Sequence, residues 1–257
     1  MNRAALLTPK DPPPYEVVNS AALRPLLFVC EHAGHLVPER LDGLGIAEAD
    51  LLDHIGWDIG AGAVTKRLAA IFGATAVLAT YSRLVIDANR PLDHDTSIPE
   101  ESDGRPIPAN VGLDAAGRRA RQEACFWPFH RAVSAQRSRL TEAGQTPTLV
   151  FVHSFTPSMA DGTPRPWEIG ILYDRDERLA GPLLHFLTQT LGEKLGDNQP
   201  YTGRDSAGYS AETHAAAPNL PHIMLEIRNN LIRDDGGVKL WSARLAIALK
   251  ACPDVAA

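Results

Sequence analysis

The feature that most constrains this chain is a set of apolar runs that each break off into charge. "LLFVC" runs into Glu31 and His32, and "RLVIDA" into Asp87, Asn89 and Arg90. "TLVFVHSF" carries His153 and Ser154, and "HIMLEIRNNLI" carries Glu226 and Arg228. Each reads as a strand buried on both faces. "ATAVLAT" and "EIGILY" add two more. Between them lie segments of helical character. Residues 47–72 space Leu51, Ile55, Ile59, Val64, Leu68 and Ile71 by three to five; 114–143 opens on Asp114 as N-cap and is kinked near Pro128. Residues 176–195 and "GGVKLWSARLAIAL" are two further helices. This alternation predicts an α/β fold, a single domain whose mixed, mostly parallel sheet is flanked by helices on both faces. Residues 1–24 read as an extended arm and 25–257 as the domain. The long loops 92–113 and 196–217 are natural lids over a site.

Composition narrows the function. A net charge of −6 without a basic block argues against nucleic acid as a partner. No apolar run reaches about 18 residues, so no membrane span is expected. The N-terminus lacks a signal-peptide pattern. Cys30, Cys125 and Cys252 are far apart and odd in number, which fits reduced thiols in a cytoplasmic protein. Monomer and homodimer are equally open.

In open α/β sheets the carboxyl ends of the strands line the ligand crevice, so the four polar clusters are expected to converge. Glu226, inside an apolar strand, must be paired, protonated or bound to a cation. Arg228, two residues on, is one candidate partner. His32 and His153 with a carboxylate and an open position describe a catalytic metal site, with zinc the expected ion, one per chain. The third ligand stays open between Asp58, His35 and Glu31. Asp58 sits beside Trp57 on the helix that follows, and His35 makes an HxxH spacing with His32. No dinucleotide, P-loop, GxSxG or HExxH motif is present. Ser154 lacks the glycine that a nucleophile elbow needs after it. Arg83, Asp87, Asn89 and Arg90 crowd the end of one apolar run, which calls for an anion between the arginines.

The chain resembles the N-formylglutamate amidohydrolase family, a branch of zinc-carboxypeptidase-like and aspartoacylase-like hydrolases. The resemblance rests on "CEHAG", "HIGWDIGA", "YSRLVIDANRP", "IPANVGL", "FWPFH", "FVHSFTP" and "LEIRNNLI", in the family's order over residues 30–232. It implies a phosphorylase/hydrolase-like, zinc-exopeptidase-like fold. The implied activity is metal-dependent release of formate from an N-formyl amino acid, N-formyl-L-glutamate in histidine breakdown being the best-known case. The substrate would be a small molecule with a free carboxylate. By this resemblance His32 and His153 match the metal ligands and Glu226 the general acid/base. Asn89 and Arg90 match the carboxylate-binding element, braced by Asp87, and Arg83 the carbonyl-polarising arginine. Arg228 is a second candidate for the oxyanion. Ser154, His214 and Arg165 are further candidates for substrate binding, and His214 and His130 are the two histidines expected to close over the substrate. The wider carboxypeptidase-like pattern HxxE reads HxxH here. Two alternatives stay open: a hydrolase of another N-acyl amino acid or small peptide amide, and, from the HxxH departure, a carboxylate-binding homologue without the metal.

Overall fold

The computed structural model describes residues 5–205 and 208–256. Strand β1 (Tyr15–Val18) is followed by β2 (Leu26–Cys30), a four-residue helix α1 (Glu48–Leu51), α2 (Ala61–Phe72) and β3 (Thr75–Ala79). A small hairpin, β4 (Glu101–Ser102) and β5 (Arg105–Pro106), leads to α3 (Ala115–Arg121) and α4 (Trp127–Glu142). Then come β6 (Thr148–Phe155), β7 (Ile169–Leu172), α5 (Ala180–Leu191), β8 (Leu195–Asp197), a short α6 (Tyr209–Ala211), β9 (His222–Arg228) and α7 (Asp235–Lys250). The main sheet has seven strands in the order β1-β3-β2-β6-β9-β7-β8. Its four central strands are parallel; β1 and β7 run antiparallel to their neighbours β3 and β9.

Every residue of β2, β3 and β6 is buried, as an uninterrupted apolar run requires. Their side chains alternate between two cores. Leu26, Phe28, Val150, Val152, Ile223 and Leu225 face one way, against α2, α5 and α7. Leu27, Val29, Val77, Leu149 and Phe151 face the other, against Phe129, Val133 and Leu140 of α4. On this second side α4 packs over β1, β2 and β3. The face of β9 at Met224 opens instead onto the large cavity.

Several local expectations are corrected. The arm is part of the sheet, because Tyr15–Val18 pairs with β3 as an edge strand. "RLVIDA" is no strand: Val85 N bonds back to Ser82 O, and Leu84, Val85 and Ile86 pack in a separate cluster with Leu44, Ile98, Ile107 and Phe126. Residues 47–72 are two helices with a break. A side chain at Gly56 would collide with the Leu51 carbonyl, and Gly60 has φ +83° against the Ile232 carbonyl. Asp114 does cap α3, accepting from Gly117 N at 2.7 Å, but a π-helical turn at residues 122–126 separates α3 from α4. The helix expected from 176 begins at Ala180 and ends at Leu191.

Candidate active site

Four segments deliver the central groups. Glu31 and His32 follow directly on β2, β6 places His153 beside Glu226 of β9 in register, and the break before α2 brings in Asp58. That loop is fixed to β2 by a bond from Asp58 N to His32 O at 3.0 Å. It is fixed to β6 by Ser154, whose hydroxyl donates to Ile59 O at 3.0 Å and whose N–H donates to Asp58 Oδ2 at 3.2 Å. Ser154, expected at the substrate, thus holds the Asp58 loop in place, although it also lines the cavity.

His32 Nδ1 and His153 Nδ1 both face Asp58 Oδ2, at 3.3 and 2.9 Å. Ligand atoms of His32, Asp58 and His153 all lie within 4.8 Å of one another, and all three residues are buried. The opposite ring nitrogens each meet a carboxylate. His32 Nε2 is 2.7 Å from Asp87 Oδ1, and His153 Nε2 is 3.2 Å from Glu31 Oε2. With the protons on Nε2, both Nδ1 lone pairs point to one centre, the arrangement by which outer carboxylates fix metal-binding imidazoles. Two nitrogens and a carboxylate oxygen fit a divalent cation with an open coordination position. The alternates fall out. Glu31 lies behind His153, on the side away from Asp58, and His35 lies tilted against Trp57 with ring centroids 4.8 Å apart.

Arg83 spans both acids, donating to Asp58 Oδ1 at 3.3 Å and to Asp87 Oδ2 at 2.8 Å. Burial works against every charge here, yet the partners win for most groups. For His32 burial, with Arg83, lowers the pKa, but Asp87 and Asp58 raise it above the usual value. His153 is raised further, burial being outweighed by Glu31 and Asp58. Burial would lift Asp58 and Asp87, but His32 and His153 hold Asp58, and His32 with Arg83 and Arg90 holds Asp87, below the ordinary carboxylate range. Glu226 goes the other way: burial, with Asp58 nearby, raises its pKa despite the histidines and Arg83. It is 7% exposed, its Oε2 has no hydrogen-bond partner, and it lines the cavity together with His32, Asp58 and His153.

That cavity measures about 710 Å³. Arg83, Asn89 and Arg90 lie on its wall. Asn89 is oriented by its own N–H on Asp87 Oδ1 (2.8 Å) and by accepting from Ser210 N (3.2 Å). Four other expectations change. Arg228 turns away, donating to Asn230 Oδ1 at 3.0 Å and to the Pro166 carbonyl at 3.2 Å, so it neither pairs with Glu226 nor lines the cavity. Arg165 acts at one remove: it donates to the Tyr201 hydroxyl at 2.9 Å, and Tyr201 is on the wall. Nothing in the "QPYTG" loop marks Tyr201 from sequence.

His214 is buried with its Nε2 2.9 Å from His130 Nδ1, and His130 Nε2 donates to Ala88 O at 2.9 Å. It therefore braces the segment carrying Asn89 and Arg90 from behind and does not line the cavity. Of the two expected lids, 196–217 contributes Tyr201, Gly208 and Glu212 to the wall. Residues 92–113 do not, because Arg105 ties the hairpin to Asp50 and Asp53 at 3.0 and 2.8 Å.

Comparison with known proteins agrees with this geometry. The chain is 36% identical to a gene product of Agrobacterium tumefaciens of known crystal structure, covering 98% of this chain and 100% of that one with a TM-score of 0.93. The N-formylglutamate amidohydrolase of Ralstonia eutropha shares the fold, at 20% identity, coverage of 91% and 95%, and a TM-score of 0.71. N-formylglutamate deformylase of Pseudomonas aeruginosa is 30% identical over 162 residues, which span 57% of this chain and 59% of that relative. Residues 24–233 match the profile of N-formylglutamate amidohydrolase, and the chain belongs to that family.

Proposed function

We propose that the protein hydrolyses the amide C–N bond of an N-acyl amino acid, N-formyl-L-glutamate being the reference substrate, with one zinc-type cation held by His32, Asp58 and His153. When bound, such a cation supplies Lewis-acid polarisation of the acyl carbonyl and a lower pKa for water. The observation that carries the reading is the Glu226 carboxyl, buried, its Oε2 without a hydrogen-bond partner, and sharing the cavity with that triad. Glu226 takes the proton as water oxygen bonds to the acyl carbon, then delivers it to nitrogen as the C–N bond breaks. Formate and the free amino acid result.

Arg83, 27% exposed and fixed by two acids, is aimed to stabilise negative charge growing on the acyl oxygen. Asn89 and Arg90 hold the substrate carboxylate, Arg90 by its planar fork. Three buried free cysteines suit a reducing cytoplasmic setting, and no helix among the described residues is long and apolar enough to cross a membrane. The test is formate release from N-formyl-L-glutamate, with and without chelator, alongside metal analysis. Chelator-sensitive release with about one zinc per chain supports the proposal; release that survives complete metal removal refutes the cation's part in it.

A further inference from the structure

The cavity is longer than the reference substrate requires. Glu226, Met224 and His222 alternate along β9 and all three line it, so it follows one face of that strand. At about 3.3 Å per residue, the path from Glu226 to His222 is roughly 13 Å. Its middle is apolar: Met224 pairs in register with Leu172 of β7, and Ala211 and Leu220 close the sides. Its far end is polar. Asp176 there accepts from Arg178 on both oxygens, at 2.8 and 2.9 Å, and lies 3.2 Å from His222 Nδ1, with Asp174, Arg175, Glu177 and Arg178 on the same wall. A formylated glutamate has only about a dozen non-hydrogen atoms, whereas cavities of roughly 300–1,000 Å³ bury drug-sized ligands.

The direction of the path is also fixed. A methyl group added at Gly208 would lie 3.2 Å from Met224 Cε and 3.4 Å from Asn89 Oδ1, so these two side chains flank one spot. The amino-acid half of a substrate, its carboxylate on Asn89 and Arg90, therefore has its side chain over Met224. Resting on the hydrolase reading above, we infer that the preferred substrates are Nα-acyl amino acids with a long aliphatic side chain, at least lysine-length, ending in a hydrogen-bond donor. The methylenes lie along Met224 and Leu172, and the tip reaches Asp176. A glutamate side chain stops short of it.

The test is kcat/KM for formate release by the full chain from N-formyl-glycine, N-formyl-L-glutamate, N-formyl-L-norleucine and Nα-formyl-L-lysine. Lysine should exceed glycine by about 10- to 100-fold, with norleucine between, as several buried methylenes imply. Met224→Trp, which fills the middle of the path, should cut the lysine-to-glycine ratio by about tenfold or more. Equal values for lysine and glycine, or a higher value for glutamate than for lysine, overturn the inference while leaving the hydrolase intact. A lysine-to-glycine ratio unchanged in a folded Met224→Trp protein also overturns it. No formate from any of the four sinks the hydrolase reading and the inference with it.

Discussion

Replacing Asp87 by asparagine and by alanine separates two roles of one carboxylate. Asp87 Oδ1 receives two donors, Asn89 N at 2.8 Å and His32 Nε2 at 2.7 Å, while Oδ2 receives Arg83 at 2.8 Å. The backbone N–H of Asn89 cannot move aside. An asparagine at 87 must therefore put its oxygen where Oδ1 was and its NH₂ against Arg83. His32 keeps its brace, without the charge, and Arg83 loses a charge-assisted bond worth about 1.5–3 kcal/mol. Alanine removes all three contacts. Loss of such an outer brace typically costs about 10- to 100-fold in metal affinity. Zinc Kd, measured by chelator competition, should rise by that factor in Asp87→Ala and by less than about tenfold in Asp87→Asn. Formate release should fall in both, because both loosen Arg83. Equal weakening of zinc in the two variants would show that charge alone matters and that the orientation argument is wrong. No weakening in either would remove Asp87 from the site.

Three further perturbations probe other parts. Glu226→Gln should lower formate release by about 10²–10⁴-fold while zinc content is unchanged, and retained turnover would take the proton-transfer role from Glu226. The neutral His130–His214 pair should make the fold acid-sensitive. Burial, with His214 nearby, lowers His130 to about 3, and burial with Arg137 lowers His214 to about 4. Their contribution is complete above the unfolded value near 6.5 and is lost as pH falls, up to about 2 kcal/mol each at pH 5, readable in urea midpoints. A His130→Phe/His214→Leu protein with the same pH slope would contradict this. Arg121→Met should destabilise by about 3 kcal/mol, or roughly 6–12 °C in Tm, because Arg121 is 1% exposed and holds three oxygens: Val85 O at 2.9 Å, Asn110 Oδ1 at 2.6 Å and Ala109 O at 3.1 Å. An unchanged Tm would mean that relief from burying a guanidinium without a carboxylate partner cancels the lost bonds.

What was legible in the sequence follows from how local its cause is. β2, β6 and β9 stand out because uninterrupted apolar runs have few other homes than the middle of a covered sheet, and their polar ends do meet. The run at residues 84–86 looks the same over three residues. Its carbonyls, though, are claimed by side chains from afar, Asn110 on Leu84 O at 2.9 Å and Arg121 on Val85 O, so no ladder is needed to satisfy them. No property of "RLVIDA" announces those partners. The break before α2 had a signal, the two glycines of "HIGWDIGA", which the apolar spacing around them masked. Arg228 and His214 were misplaced for a different reason. Sequence spacing says which face a residue starts from, and a long or ring side chain then goes where its nitrogens find acceptors.

The same logic explains how the HxxH departure still leaves three residues that could hold a metal ion, His32, Asp58 and His153. Where the carboxypeptidase-like HxxE pattern has a carboxylate three residues after the first histidine, this chain has His35, whose ring lies tilted against Trp57. The missing carboxylate comes from Asp58, brought within reach because the chain breaks its helix at Gly56 and Gly60. The charge then balances. Glu31, Asp58 and Asp87 against Arg83 leave two buried negative charges, with the Glu226 pKa raised. Without a cation the two histidines meet that demand as imidazoliums, which is the direction in which their surroundings push both. A divalent cation meets it equally and lets both rings return to neutral ligands. The two Nδ1 atoms turned toward Asp58 Oδ2 serve both states: in the imidazoliums they donate to that oxygen, and as neutral rings they offer lone pairs beside it to a cation.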